Sequence, residues 1–197
     1  MREDAKACIR ALALMAVAPA LLSYAVRRRV LGPDRALEGS TQALALWPGL
    51  VGVYLRRAFL SRVLAYCDPT ASVHFGTLFS QAGARLDANV YVGPGCHLGL
   101  VHLERDVLLA SGVHVTSGAK THGTDDPTRP IREQGGGRTL VRIGSGSWIG
   151  STAVVMADVG PHSIIGAGSV VTKPIDAFVV AAGCPARVIR ARTARDD

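Results

Sequence analysis

The chain has 197 residues, of which 48% are hydrophobic but only 5% aromatic, and it contains 22 glycines. This composition favours a core of small and β-branched side chains with many tight turns, and it argues against a helical bundle anchored by aromatic residues. The formal net charge is +7, and residues 1–66 alone carry +6 of it. That basic segment is apolar and has no recognisable DNA- or RNA-binding motif, so nucleic acid is a poor fit as a partner.

Two apolar segments of the N-terminal third predict helices, over Ala11–Val26 and about Leu50–Tyr66. The first would be roughly 24 Å long at ~1.5 Å per residue, which is shorter than a hydrocarbon layer of ~30 Å. The second mixes apolar residues with Arg56, Arg57 and Arg62. Apolar helices with arginines can lie in a membrane interface against anionic lipid. One alternative is that both helices pack against the rest of the protein or a neighbouring subunit, and another is a true transmembrane span.

Beyond residue 68 an aliphatic residue recurs every six positions, with one five-residue and one four-residue step. A six-residue unit forms one short strand and a turn, with alternate side chains pointing inward. Three such units make one triangular coil, and stacked coils bury a continuous aliphatic column. We therefore predict a parallel β-helix over residues 69–192, after a helical extension over 1–68 and before a tail over 193–197. The predicted inward residues are Leu86, Val92, Leu98, Leu103, Leu109, Val115, Ile143, Ile149, Val155, Val159, Ile165 and Val171.

The repeat lapses between residues 117 and 139, which predicts a loop extruded from a corner of the coil. The four cysteines are scattered and form neither a C-x-x-C pair nor a disulfide framework, so a reducing compartment is expected.

Three segments, over residues 143–150, 165–173 and 181–190, resemble the hexapeptide-repeat acyltransferases, in the branch of maltose, galactoside, xenobiotic and exopolysaccharide O-acetyltransferases. The resemblance implies a mainly β protein with a left-handed parallel β-helix and assembly as a homotrimer. It also implies acetyl-CoA as the acyl donor, bound in a cleft between two subunits, and no metal. The N-terminal third, including residues 42–49, is similar to members that act on cell-envelope polysaccharides.

The same resemblance suggests the site residues. His122 in the extruded loop matches the general base, and an imidazole, with an ordinary pKa of ~6.5, can accept a hydroxyl proton near neutral pH. Asp125 or Asp126 would orient it. The positions matching those that bind coenzyme A are Trp148, Gly150, Ser151, Ala167, Thr172, Lys173, Arg187 and Arg190.

Three further histidines leave a second function open, because His97, His102 and His114 each precede an inward residue and should point outward. The repeat puts His97 and His114 on one face, one coil apart, and His102 on the next face. A trimer could bring three imidazoles together around zinc, as in the γ-class carbonic anhydrases, which this spacing resembles. Otherwise His102 and His114 line the acceptor pocket or the subunit interface.

The expected function is O-acetylation of a sugar hydroxyl on a cell-envelope or exported polysaccharide or its precursor. Two further possibilities are an antibiotic O-acetyltransferase and a non-enzymatic scaffold. The expected location is cytoplasmic and peripheral on the inner face of the membrane, with residues 8–66 making the membrane contact.

Overall fold

The computed structural model describes residues 3–192, and the predicted tail over 193–197 lies outside them. Four helices come first, at Glu3–Ala16 (α1), Ala18–Leu31 (α2), Pro33–Ala45 (α3) and Gly49–Val63 (α4). The strands that follow, almost all of two or three residues, are Tyr66–Cys67 (β1), Ser72–Val73 (β2), Leu78–Phe79 (β3), Arg85–Leu86 (β4), Tyr91–Val92 (β5), His97–Leu98 (β6), Val101–Leu103 (β7), Leu108–Leu109 (β8), His114–Val115 (β9), Val141–Ile143 (β10), Trp148–Ile149 (β11), Val154–Val155 (β12), Ile164–Ile165 (β13), Val170–Val171 (β14), Val179–Gly183 (β15) and Ala186–Ala191 (β16).

The strands form the three faces of a parallel β-helix. Face 1 has the order β1-β4-β7-β10 and is continued by isolated bridges from Ile143 to Val159 and from Val159 to Ile175. Face 2 has the order β16-β15-β13-β11-β8-β5-β2, and face 3 has the order β14-β12-β9-β6-β3. All pairings are parallel except that of β15 with β16, an antiparallel hairpin at the C-terminal end of face 2. Each coil therefore passes from face 1 to face 2 to face 3.

The predicted inward column is confirmed, because all twelve of its aliphatic residues are at most 2% exposed. Eleven of the twelve residues two positions earlier are buried as well, Ala157 being half-buried, and three of the buried ones are serines whose hydroxyl groups are hydrogen-bonded inside the coil. Ser147 donates to the Gly160 carbonyl at 3.0 Å, and Ser163 donates to the Asp176 carbonyl at 2.7 Å. Ser169 accepts the Gly183 N–H at 3.1 Å.

Close stacking of the coils explains the glycine after an inward residue. A Cβ at Gly150 would lie 2.5 Å from the Ala167 nitrogen, and one at Gly144 would lie 2.4 Å from the Pro161 nitrogen. Real Cβ atoms are not found so near to backbone, so only glycine lets the next coil approach at these two corners.

The helical segment differs in detail from the sequence prediction. The predicted first helix is broken at Val17, where α1 and α2 meet at a bend of 50°. The helix α3, which the sequence analysis did not predict, begins at Pro33 directly after Gly32, whose φ is +81°. The helix α4 ends at Val63 rather than at Tyr66, because Tyr66 already belongs to the first strand of face 1.

The helices close the N-terminal end of the β-helix. The helix α3 packs on β3, and α4 packs on β1 and β2. The Phe59 side chain of α4 is fully buried and meets Tyr24 of α2 edge-on, with ring centroids 5.9 Å apart. Their buried side chains are continuous with the inward column, so the described residues share one hydrophobic core.

Arg56 joins the helices to the first coil and corrects the expectation that it faces a membrane. Its side chain is only 2% exposed. Its Nε donates to the Val73 carbonyl at 2.9 Å, and one terminal nitrogen donates to the carbonyls of Leu44 and Trp47 at 3.1 and 2.8 Å. Burial lowers the pKa of this guanidinium from its ordinary value. A cation here satisfies carbonyls that the C-terminal end of α3 leaves without intrahelical partners.

Within the described residues, no single helix is long and apolar enough to cross a membrane. The bent pair Ala7–Ala16 and Ala18–Leu31 meets the length and composition requirements when its two helices are taken together.

Candidate active site

The extruded loop leaves the β-helix after β9 of face 3 and returns at β10 of face 1, so it stands on the edge between these faces. Its two ends are tied together. The Thr139 N–H donates to the Ser117 carbonyl at 2.8 Å, and further out the Gly137 N–H donates to the Lys120 carbonyl at 2.9 Å. Hydrogen bonds between its two ends therefore hold the base of the loop in place.

His122 lies exposed on this loop and lines a cavity of about 430 Å³ together with Lys120, Asp125 and glycines 135–137. The glycines let the two sides of the loop meet. A Cβ at Gly136 would lie 2.2 Å from the Thr121 carbonyl oxygen and 2.6 Å from the His122 Cα. The backbone of Gly136 thus packs directly against that of His122, whose side chain is exposed at the cavity.

The two aspartates of the loop have different environments. One oxygen of the Asp126 carboxylate accepts the Thr128 N–H at 2.9 Å and the Thr128 hydroxyl at 2.7 Å, and these bonds lower the pKa of Asp126 from its ordinary value. The Gln134 side chain accepts the Asp126 N–H at 3.1 Å and donates to the Asp126 carbonyl at 2.8 Å. Asp126 is thus used to shape the loop, whereas Asp125 lines the cavity with His122.

Four of the predicted coenzyme positions meet around the edge between faces 2 and 3. Gly150 and Ser151 follow β11, and Ala167 sits directly above them in the next coil. The Gly168 N–H donates to the Ser151 carbonyl at 2.9 Å and holds the two turns in register. Trp148, one of the two tryptophans of the chain, lies on the adjoining strand and is 48% exposed. The exposed indole and the stacked turns beside it form an apolar surface along this edge.

The other four predicted coenzyme positions occupy two more places. Arg187 and Arg190 are exposed on β16, and Arg190 is in register with Val180, Ile164 and Trp148 across face 2. Thr172 and Lys173 are exposed and follow β14 of face 3, so they lie on the edge between faces 3 and 1. The extruded loop leaves the same edge two coils earlier. The cavity beside His122 is lined by none of these eight positions.

His97 and His114 lie side by side on face 3, as predicted, with ring centroids 5.4 Å apart. They line a groove that runs from Glu38 of α3 to Ser117 at the base of the extruded loop. Burial, followed by the neighbouring His97 imidazole, lowers the pKa of His114 from its ordinary value. The groove offers a carboxylate, two imidazoles and several hydroxyl groups, which suits a polar ligand with many hydroxyls.

His102 lies on face 1, as predicted, and both of its ring nitrogens are occupied. Nε2 lies 3.0 Å from an Asp87 carboxylate oxygen, and Nδ1 lies 3.3 Å from a terminal nitrogen of Arg142. A guanidinium can only donate, so Nδ1 accepts and the Nε2–H donates to Asp87. Within the described part of the chain, no group of three His, Cys, Asp or Glu side chains is placed to hold a metal ion.

Known proteins resemble this chain over most of its length. No family model matches it. A galactoside O-acetyltransferase from Escherichia coli (strain K12) is 53% identical over 58 residues, which is 28% of this chain and 29% of that relative. WbbJ from the same strain, assigned as an O-acetyl transferase of lipopolysaccharide biosynthesis, is 32% identical over 164 residues, which cover 72% of this chain and 83% of that protein.

This chain belongs to the hexapeptide-repeat acyltransferase family. Membership makes it an acetyl-CoA-dependent acyltransferase, as the sequence predicted, and sets aside the non-enzymatic scaffold and the zinc enzyme.

Solved structures agree with the fold of this acyltransferase. A maltose O-acetyltransferase from Clostridium difficile 630 superposes with a TM-score of 0.70 at 20% identity, over 82% of this chain and 87% of the other. A galactoside acetyltransferase solved in complex with coenzyme A gives a TM-score of 0.56 at 22% identity, over 83% and 84%. The left-handed parallel β-helix is thereby confirmed.

Several residues that shape the acyltransferase site escaped the sequence analysis. Gly136 and Gln134 hold the two sides of the loop together, and Glu38 reaches the face 3 groove from the helical segment. The run of three glycines at 135–137 was a visible signal for close backbone contact. The local sequence does not single out Gln134 or Glu38, because the Gln134 side chain bonds Arg129 and Asp126, five and eight positions away, and Glu38 lines a groove with residues of face 3.

Proposed function

We propose that this acyltransferase moves an acetyl group from acetyl-CoA onto a sugar hydroxyl of a cell-envelope or exported polysaccharide, or of its precursor, with His122 as general base. The observation that carries the proposal is the position of His122, which lines an open cavity on a loop tied off from the coil. The similarity to WbbJ over 164 residues supports the class of acceptor.

The chemistry needs one group that takes a proton and later returns it. An imidazole nitrogen of His122 accepts the proton of the acceptor hydroxyl while the oxygen attacks the thioester carbonyl. The tetrahedral intermediate then expels the coenzyme A thiolate as the C–S bond breaks, and the imidazolium protonates the sulfur. We assign stabilisation of the oxyanion to backbone N–H groups, which commonly serve this purpose in acyl transfer.

Asp125 is the better candidate to orient the imidazole. Both aspartates were open from the sequence, but the Asp126 carboxylate already bonds Thr128. Asp125 shares the cavity with His122. A carboxylate beside the imidazole would stabilise the imidazolium that forms during transfer.

For the donor, we assign the pantetheine arm to the edge between faces 2 and 3, along Trp148, Gly150, Ser151 and Ala167. Thr172, Lys173, Arg187 and Arg190 provide the hydroxyl and the cations for the phosphates. Solved proteins of the same fold, the galactoside acetyltransferase and the N-acyltransferase AntD from Bacillus cereus, carry coenzyme A.

The separation of these groups supports a homotrimer. His122 and the face 2–face 3 edge lie on different edges of one chain, with face 3 between them. A neighbouring subunit that sets its donor edge against this loop would complete the site. Mass measurement in solution should then give three chains of 20.6 kDa each.

The groove on face 3 is our candidate for the acceptor. It ends at Ser117, the first residue of the loop that carries His122, and His114 and Glu38 line it. His102 takes no part in it, since its nitrogens are bonded on face 1. We further propose that the enzyme works in the cytoplasm at the inner face of the membrane, held there through residues 8–66, because a membrane-bound precursor would be assembled on that surface.

The test is release of the coenzyme A thiol from acetyl-CoA in the presence of a panel of sugars, glycolipids and antibiotics. We expect turnover with sugar or glycolipid acceptors. Turnover with an antibiotic alone would overturn the assignment of the acceptor, and absence of turnover with every hydroxyl acceptor would overturn O-acetylation.

A further inference from the structure

The helical segment carries an apolar surface that the acyltransferase reaction does not use. Ten of the nineteen exposed large hydrophobic side chains of the described residues lie in it. Several of them border one groove of about 630 Å³ between α1 and α4, which we call the α1–α4 groove. Its rim includes Leu12, Leu50 and Val51, which are 55%, 76% and 63% exposed. Such a continuous apolar surface on the outside of an enzyme indicates that it binds another molecule or a membrane.

A cationic pocket adjoins this groove. Arg10 of α1 meets Arg57 and Arg62 of α4 around a cavity of about 180 Å³, which we call the arginine pocket. Tyr54 lines both cavities, and the Arg57 guanidinium lies 4.6 Å from the centre of its ring. The two sites are therefore neighbours along α4.

Among the residues whose side chains the structure describes, the three arginines have no carboxylate partner. No aspartate or glutamate lines the arginine pocket in the described part of the chain, and none of its arginines forms an ion pair there. The neighbouring carboxylate of Asp68 is bonded to Tyr66 and Thr70. The Arg10 Nε is buried and has no hydrogen-bond partner among residues 3–192. An unpaired cationic pocket of this kind would accept an anion.

We propose that the α1–α4 groove and the arginine pocket together bind the anionic phospholipid of a membrane surface. The pocket takes the phosphate of the headgroup, and the groove takes the beginning of an acyl chain. Charge complementarity and the adjacency of the two cavities select an anionic amphiphile over a purely apolar occupant. The inference rests on the proposed location at the inner membrane face and names the site and the ligand that produce it. It differs from the sequence prediction in one respect: Arg56 belongs to the core, so the lipid contact depends on Arg10, Arg57 and Arg62.

Flotation of the full-length protein with vesicles tests the proposal. One set of vesicles is phosphatidylcholine, and the other is phosphatidylcholine and phosphatidylglycerol in equal parts. We expect binding to the anionic vesicles that weakens with added salt. The double substitution Arg57→Gln and Arg62→Gln should weaken it about 30-fold, from roughly 1 kcal/mol for each arginine at the surface. The matched control Arg85→Gln and Arg105→Gln removes the same charge from exposed positions of the β-helix and should change binding less than about threefold.

The apolar half of the site has its own variant. The double substitution Leu50→Ser and Val51→Ser should weaken binding to both kinds of vesicle by about tenfold or more. Both side chains are exposed, so the thermal unfolding of this variant should match that of the wild type.

Three results would overturn the proposal: no binding of the wild type to anionic vesicles, equal loss in the two arginine variants, or a changed oligomeric mass of the Leu50→Ser and Val51→Ser variant. The last would show that a second copy covers the groove. Acetyl transfer to a soluble sugar is measured in parallel on each protein. Absence of acetyl transfer would contradict the proposed reaction, and it would not change what the vesicle binding shows about the lipid site.

Discussion

The helical segment and the β-helix of this enzyme are built on opposite principles. In the β-helix each coil repeats the same inward aliphatic position, and each coil contacts only its neighbours, so the pattern is visible along the chain. The helices close one end of that stack without a repeat, and a buried arginine, Arg56, is one of the links between the two regions. We therefore expect stability to be spread along the coils and, in the helical segment, to depend strongly on the contacts of Arg56.

The largest expected effect on stability contrasts a coil residue with a helix residue. Ile149 is fully buried and Leu50 is 76% exposed. We expect Ile149→Ala to lower the free energy of unfolding by about 2–5 kcal/mol, because it leaves a cavity in the column. Leu50→Ala should change it by about 0.5 kcal/mol or less. Urea denaturation measures both, and equal losses would show that the column is not the main source of stability.

Arg56→Met is expected to have the next largest effect. The substitution leaves the carbonyls of Val73, Leu44 and Trp47 without their donor, at a cost of about 2–4 kcal/mol in the free energy of unfolding. Arg57→Met is the matched control, because this arginine is partly exposed and lies over Tyr54, and it should cost about 1 kcal/mol or less. If the two variants unfold at the same urea concentration, Arg56 does not join the two regions.

The coils of the β-helix could be predicted from the sequence, whereas the contacts of the helical segment could not. The period of six predicts the inward column because each strand repeats one local rule. The helix α3 and the role of Arg56 could not be predicted, because their partners lie on β2 and β3 and only the folded chain brings them together.

The candidate site divides in the same way. The lapse in the repeat predicts the loop that carries His122, and the resemblance suggests the residue itself. The proposal of Asp125 over Asp126 rests on the structure, since the bonds from Thr128 and Gln134 are what distinguish the two residues.

The smallest expected effect is a pH dependence shared by the two regions. Burial is the main cause that lowers the pKa of His74 and the pKa of His114 from an ordinary 6.5, and Arg56 adds to it at His74 as the His97 imidazole does at His114. The unfolded chain therefore binds more protons below pH 6.5, so this stability is fully present above that pH and is lost as the pH falls through the lower folded pKa values.

We expect the free energy of unfolding to fall between pH 7 and pH 5, and less steeply in the double variant His74→Gln and His114→Gln. Urea denaturation across this range is the measurement. An identical slope in the wild type and the double variant would exclude these two histidines as its source.

The most direct test of His122 as the general base compares acetyl-CoA turnover by the wild type and by His122→Ala on an acceptor found in the panel. We predict a kcat lower by roughly 10²–10⁴-fold, with coenzyme A binding by calorimetry and the oligomeric mass unchanged. Arg132→Ala is the control, since its side chain is 86% exposed on the same loop and away from the cavity, and it should keep turnover within a few-fold of wild type. Near-normal turnover by a folded His122→Ala enzyme would contradict the assignment of the general base.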